Sequence, residues 1–111
     1  MAFLPHLENA EIDVAKLRDY CLSANHPRGR HKARLFHSAL GVTAEHSEWL
    51  RRALLAALPH HEAERQEMDQ FGERWRVDLG LTRQTRHAVV RTIWMIRTGE
   101  PAARLVSCWV L

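Results

Sequence analysis

Between His26 and Gly41 the chain reads His26-Pro27-Arg28-Gly29-Arg30-His31-Lys32-Ala33-Arg34-Leu35-Phe36-His37-Ser38-Ala39-Leu40-Gly41, gathering four fixed positive charges and three imidazoles around Gly29. Guanidinium and ammonium groups bind phosphate, and imidazole moves protons near neutral pH. A helix starting near Arg30 would add free backbone N–H groups and the positive end of its dipole to the same place. Arg28, Arg30, Lys32 and Arg34 then become phosphate ligands, with His31 beside Lys32 and His26 just ahead of the helix. A solvated helix face has the same composition, so the spacing alone leaves both readings open.

A second set lies near the C-terminus. Arg91-Thr92 interrupts the apolar run Ala88-Val89-Val90-Arg91-Thr92-Ile93-Trp94-Met95-Ile96, and Ser107 occupies the next apolar run. An arginine in such a strand needs a partner, because an unpaired buried charge costs several kcal/mol, about 3 to 5 where a pair is broken. Asp78 is the structural partner on offer. The functional alternative has Arg91 opening into a cleft between the sheet and the basic helix, holding a phosphodiester whose charge grows in the transition state, with Thr92 and Ser107 adding hydroxyl hydrogen bonds. His60-His61-Glu62 has no second histidine pair or cysteine framework beside it, so neither a metal nor another cofactor is expected. Phosphate-binding loops, dinucleotide glycine patterns and the Gly-x-Ser-x-Gly elbow are missing from the sequence.

These groups need elements to hold them. Asp13 fits the N-cap of a helix running to Leu22 or Ser23, with Val14, Leu17, Tyr20 and Cys21 facing inward. Pro27 ends that region, Gly29 permits a close approach, and the basic helix follows with Leu35, Phe36, Ala39 and Leu40 on one face. Gly41 suits its C′ position. Thr43 suits the N-cap of a third helix carrying Trp49, Leu50, Ala53, Leu54, Ala57 and Leu58, which Pro59 closes.

Residues 59–70 are acidic and lack a period, which predicts a solvated loop. After Gly72 the period becomes 2: Trp75, Val77, Leu79 and Leu81 alternate with polar residues. A turn over Arg83-Gln84-Thr85-Arg86 leads to a central strand covered on both faces, and Thr98-Gly99-Glu100-Pro101 leads to a last strand from Arg104 to Val110. Trp75, Trp94 and Trp109 sit at core-like positions, and residues 2–8 could supply a fourth edge strand. The expectation is a single α+β domain over 1–111: three N-terminal helices over about 13–58, the acidic loop, and a three- to four-stranded antiparallel sheet over about 73–110 against which they pack.

With 111 residues the chain can bury one core unaided. Lys and Arg number 16 against 13 Asp and Glu, a net +3 that eight histidines increase as pH falls, which favours an anionic partner weakly. Cys21 and Cys108 sit in apolar runs without a Cys-x-x-Cys spacing, as buried free thiols of a reducing compartment do. No run reaches the ~20 apolar residues of a membrane span, so a cytoplasmic protein without membrane contact is expected, or the end of a longer exported one.

The succession Lys16-Leu17-Arg18-Asp19-Tyr20, His26 to Phe36 ending in Leu40-Gly41, Phe71-Gly72-Glu73-Arg74-Trp75-Arg76-Val77-Asp78, Val90-Arg91-Thr92-Ile93-Trp94 and Arg104-Leu105-Val106-Ser107 resembles a small uncharacterised bacterial domain family. That family is similar in turn to the C-terminal nuclease modules of polymorphic and contact-dependent toxins, of the barnase, EndoU, colicin and RelE type. The resemblance implies metal-independent RNA cleavage, possible on a tRNA, by attack of a 2′-hydroxyl on the adjacent phosphorus. It points to His31, Lys32, Arg91, Thr92 and Ser107 as the catalytic set, with Arg28, Arg30, Arg34 and His26 holding the substrate. RNA and a cognate antitoxin or immunity protein are the implied partners of a monomer or hetero-complex. The competing expectation is a non-catalytic interaction module of the same fold, an antitoxin, immunity or adaptor protein, in which those side chains diverge.

Overall fold

The computed structural model describes residues 2–111. Four antiparallel strands form a meander in chain order, β1 (Ala63–Asp69), β2 (Gly72–Arg83), β3 (Arg86–Arg97) and β4 (Arg104–Val110). Ahead of them come α1 (Val14–Lys16), continued by a π-helical turn Leu17–Cys21, then α2 (Arg30–Leu40) and α3 (Ser47–Ala57), with short 3-10 turns at Leu7–Asn9, Ala44–His46 and Leu58–His60. The α+β class and the antiparallel sheet expected from the sequence are present.

The helices cover one face of the sheet. Trp75, Val77 and Leu79 of β2, Val90 and Trp94 of β3, and Leu105 and Cys108 of β4 form one buried cluster with Leu17 and Cys21, with Phe36 and Leu40, and with Leu50, Leu54 and Leu58. The period of 2 in β2 therefore sets which residues meet the helices. In β3 the same alternation holds: Val90, Thr92, Trp94 and Ile96 are buried, while Val89 is exposed and Arg91, Ile93 and Met95 are half-buried. The expected second covering layer is absent among the described residues, and the apolar odd positions of β3 line an open face instead.

Two further expectations are corrected. Residues 63–69 are an edge strand and not a loop; only Ala63 is buried, so no hydrophobic alternation marked it. Backbone pairing to β2 and the cross-strand pairs Arg76–Glu64 and Arg65–Glu73 hold it. Its exposed charges and the register shift between Arg65 and Glu67 suit an edge that must not template aggregation. Residues 2–8 form no strand. It is Glu11 that lies along the outer edge of β4, donating its N–H to Ala103 and accepting from Leu105.

Both ends of α2 are fixed by identifiable contacts. At its C-terminus Gly41 adopts φ 67, and Arg83 and Arg86 from the β2–β3 hairpin donate to the last carbonyls, from His37 to Gly41. At its start Gly29 lies under the Tyr20 carbonyl, where a Cβ would fall 2.1 Å from the oxygen. Gly29→Ala is expected to push α2 off the π-helical turn and cost about 1 to 3 kcal/mol, the usual range for overpacking. An unchanged thermal midpoint in that variant would show that the two elements separate freely.

Candidate functional site

Lys32 leaves the first turn of α2 and reaches β4. Its Nζ donates to the Ser107 hydroxyl at 2.9 Å, lies 4.8 Å from the centre of the Trp109 indole and 5.2 Å from the centre of the Tyr20 ring. Two aromatic faces thus hold the ammonium by their quadrupoles, and no carboxylate pairs with it among the described residues. One N–H serves Ser107; the others remain for an anion. Ser107 pairs with Ile93 across the strands and Trp109 with Arg91, which places them beside the open-face residues of β3. A bulge between Ile93 and Trp94 re-aims β4 at this point.

His26 joins the cluster through Tyr20, ring to ring at 4.7 Å in an edge-to-face arrangement. Its Nδ1 accepts from the backbone N–H groups of Arg28 and Gly29 at 3.0 and 3.1 Å. Those two donors fix the tautomer with the proton on Nε2, so His26 is a hydrogen-bond donor toward any ligand and not a proton acceptor. A cavity of about 590 Å³ adjoins the cluster on its Tyr20 and His26 side, lined also by Asp13, Ala15, Lys16, Asp19 and Val106; Lys32, Ser107 and Trp109 are not part of its wall.

Behind Ser107 lie the two thiols, both free and buried. The Cys108 thiol hydrogen-bonds to Cys21, with Ser107 and the Lys32 charge assisting, and together they pull the Cys21 thiol from its ordinary 9.0 down to about 6 against the opposing cost of burial. The same pair pushes Cys108 up. With its thiol lowered to about 6, folded Cys21 releases its proton at lower pH than the unfolded chain does, so stability is expected to rise with pH between about 6 and 9. Above 9 the unfolded chain releases the Cys108 proton that the folded chain retains, and stability falls. Urea midpoints across this range are expected to peak near pH 9 in the wild type and to lose the rising limb in Cys21→Ser; a flat wild-type profile would show that Cys21 keeps its proton.

The remaining sequence-derived candidates separate. Arg91 lies on the open face and is held by Asp78 in a two-point pair, 2.9 and 3.0 Å, that draws Asp78 below the usual carboxylate range. The structural partner named from the sequence is the one it has, and Arg91 reaches the cluster only as the cross-strand neighbour of Trp109. Thr92 is buried; its hydroxyl donates to the Val77 carbonyl and accepts from the Trp94 indole, so it serves the core and does not position substrate. The expected cleft between α2 and the sheet is filled by Ala33, Phe36 and Leu40. His31 and Arg28 are exposed, with no side-chain partner among the described residues, and Arg30 and Arg34 point along the other flank of α2. Trp109 and Tyr20 were missed as site residues because aromatic positions in a strand and on a helix face read as core.

Among the described residues the cluster combines a cation without a counter-ion, a fixed imidazole N–H, the Ser107 hydroxyl and an indole face. That set suits a phosphodiester beside a base: charge-assisted hydrogen bonds for the phosphate, a stacking platform for the ring. No group of three or more metal-ligating side chains occurs among the described residues. No helix is long and apolar enough to cross a membrane. Over residues 3–111 the chain matches the family model described as DUF6883, a domain of unknown function. No curated protein and no solved structure matches it.

Proposed function

We propose, starting from the fact that this chain belongs to the DUF6883 family, that it binds RNA across β4 and the start of α2 and cleaves it without a metal, as the nuclease module of a toxin. The observation that carries the reading is the Lys32 ammonium, held at 2.9 Å from Ser107 and against the Trp109 and Tyr20 rings, with no carboxylate paired to it among the described residues. A charge kept in place and unpaired is what a phosphorane needs, because its stabilisation requires no reorganisation when the extra charge appears.

In this reading a base accepts the 2′-hydroxyl proton, the 2′ oxygen attacks phosphorus, and an acid protonates the departing 5′ oxygen. His31, exposed and next to Lys32 in the sequence, is assigned the proton transfer. Lys32 meets the non-bridging oxygens, His26 donates from Nε2, Ser107 orients the ammonium, and Arg28 holds a neighbouring phosphate. A base stacks on Trp109. An acidic antitoxin or immunity protein covering the first turn of α2 would silence the site by charge complementarity.

The test is incubation of the purified domain with total bacterial RNA in EDTA. Discrete fragments ending in 2′,3′-cyclic phosphate are expected. Intact RNA after incubation with freshly folded, partner-free protein would overturn cleavage and leave a non-catalytic interaction module.

A further inference from the structure

We infer that the groove on the opposite flank of α2 is a second, separate site, which binds a 5′-phosphorylated nucleoside. Arg30, Arg34 and His37 follow one another at i, i+4 and i+7 and form one wall of a cavity of about 520 Å³. Its floor is apolar, from the buried side chains of Leu22, Ala33 and Val42. Asn25 and Glu45 face the arginines from the connections before and after α2.

The arginines are the informative part. Of the 14 arginines in the chain, Arg18, Arg51, Arg52, Arg65, Arg76, Arg91 and Arg104 pair with carboxylates, and Arg83 and Arg86 serve the carbonyls at the end of α2. Arg28, Arg30, Arg34, Arg74 and Arg97 have neither kind of partner among the described residues, and of these five Arg30 and Arg34 line this cavity, which Glu45 lines as well. Two guanidinium forks one turn apart match a terminal phosphate, which offers three oxygens for bidentate contact. The apolar floor takes the face of a heterocycle. On the same cavity the Asn25 amide and the Glu45 carboxylate, both without side-chain partners among the described residues, can read a base edge. Glu45 also disfavours a second phosphate, so the chemistry fitted is one phosphate monoester and one base. The volume lies in the range of small-ligand pockets.

This groove does not depend on the Lys32 face cleaving RNA, and the two are separable by variant. Calorimetric titration of the wild type with 5′-AMP, 5′-GMP and inorganic phosphate is expected to give saturable binding of at least one nucleotide, at least tenfold tighter than inorganic phosphate. Arg30→Ala with Arg34→Ala should weaken it at least tenfold, whereas Lys32→Ala should leave it within about twofold. These arginines are exposed, so the double variant should keep the wild-type thermal midpoint, which circular dichroism checks. Equal affinity for phosphate and nucleotide, no saturation at millimolar concentration, or loss in Lys32→Ala without loss in the arginine variant would each overturn the site. A 5′-phosphorylated trinucleotide compared with its 5′-hydroxyl form distinguishes the source: tighter binding of the phosphorylated oligomer than of the mononucleotide assigns the groove to an RNA end, and the reverse assigns it to a free nucleotide.

Discussion

Lys32→Met is expected to lower RNA cleavage by about 100- to 1,000-fold, the loss that follows removal of one preorganised group facing a developing anion. Methionine keeps an unbranched apolar stem between Tyr20 and Trp109 and removes only the charge, which separates chemistry from packing. The fold loses one charged hydrogen bond to Ser107, worth about 1.5 to 3 kcal/mol at most, and two cation–π contacts at about 0.5 to 1 kcal/mol each on a half-buried side chain. Some of that returns because the ammonium no longer has to be desolvated. The thermal midpoint should therefore fall by several degrees and the domain should remain folded at room temperature. Cleavage at the wild-type rate by a folded Lys32→Met would remove Lys32 from the mechanism. Loss of binding as well as of turnover would mean that the ammonium holds the ground state as much as the transition state.

Lys32 and Ser107 were legible as candidates, but their 75-residue separation kept their contact out of reach of the sequence. Gly29 was readable as a residue that permits a close backbone approach ahead of the basic helix, and the Tyr20 carbonyl makes that approach. Gly41 and the alternation of β2 were equally open, since cap geometry and burial on one face leave local marks.

What failed lacked such marks. The edge strand β1 buries one side chain, so its pairing is carried by backbone and by charges that also suit a loop. In β3 a run of apolar residues reads as two covered faces, although the odd positions face outward. First-helix spacing could not show that the chain would pass into a π-helical turn at Leu17–Cys21, where Leu22 N–H bonds back to the Leu17 carbonyl. That turn brings Tyr20 and Cys21 toward β4 and so builds half of the site. Trp109 is the instructive case: strand composition makes a tryptophan look like core, and only the register with Arg91 moves it to the outer face.

Register also decides what each of the other strand tryptophans is worth. Trp75 and Trp94 are direct cross-strand partners on the buried face, yet their indole N–H groups differ. The Trp94 Nε1 donates to the Thr92 hydroxyl at 2.8 Å, which passes a 2.6 Å hydrogen bond on to the Val77 carbonyl and so ties β3 to β2 within the core. The buried Nε1 of Trp75 has no partner among the described residues. Trp94→Ala is expected to cost about 3 to 5 kcal/mol by opening a cavity beneath α2, a large part of the roughly 5 to 15 kcal/mol available to a small domain, and to leave it unfolded or nearly so at 37 °C. The phenylalanine variants isolate the hydrogen bond. Both lose similar volume, but only Trp94→Phe leaves the Thr92 hydroxyl without its donor, whereas Trp75→Phe relieves an unsatisfied N–H. Urea titration should therefore place Trp94→Phe below Trp75→Phe by about 1 to 2 kcal/mol at unchanged slope. Equal midpoints would show that the Trp94–Thr92–Val77 chain contributes nothing beyond packing.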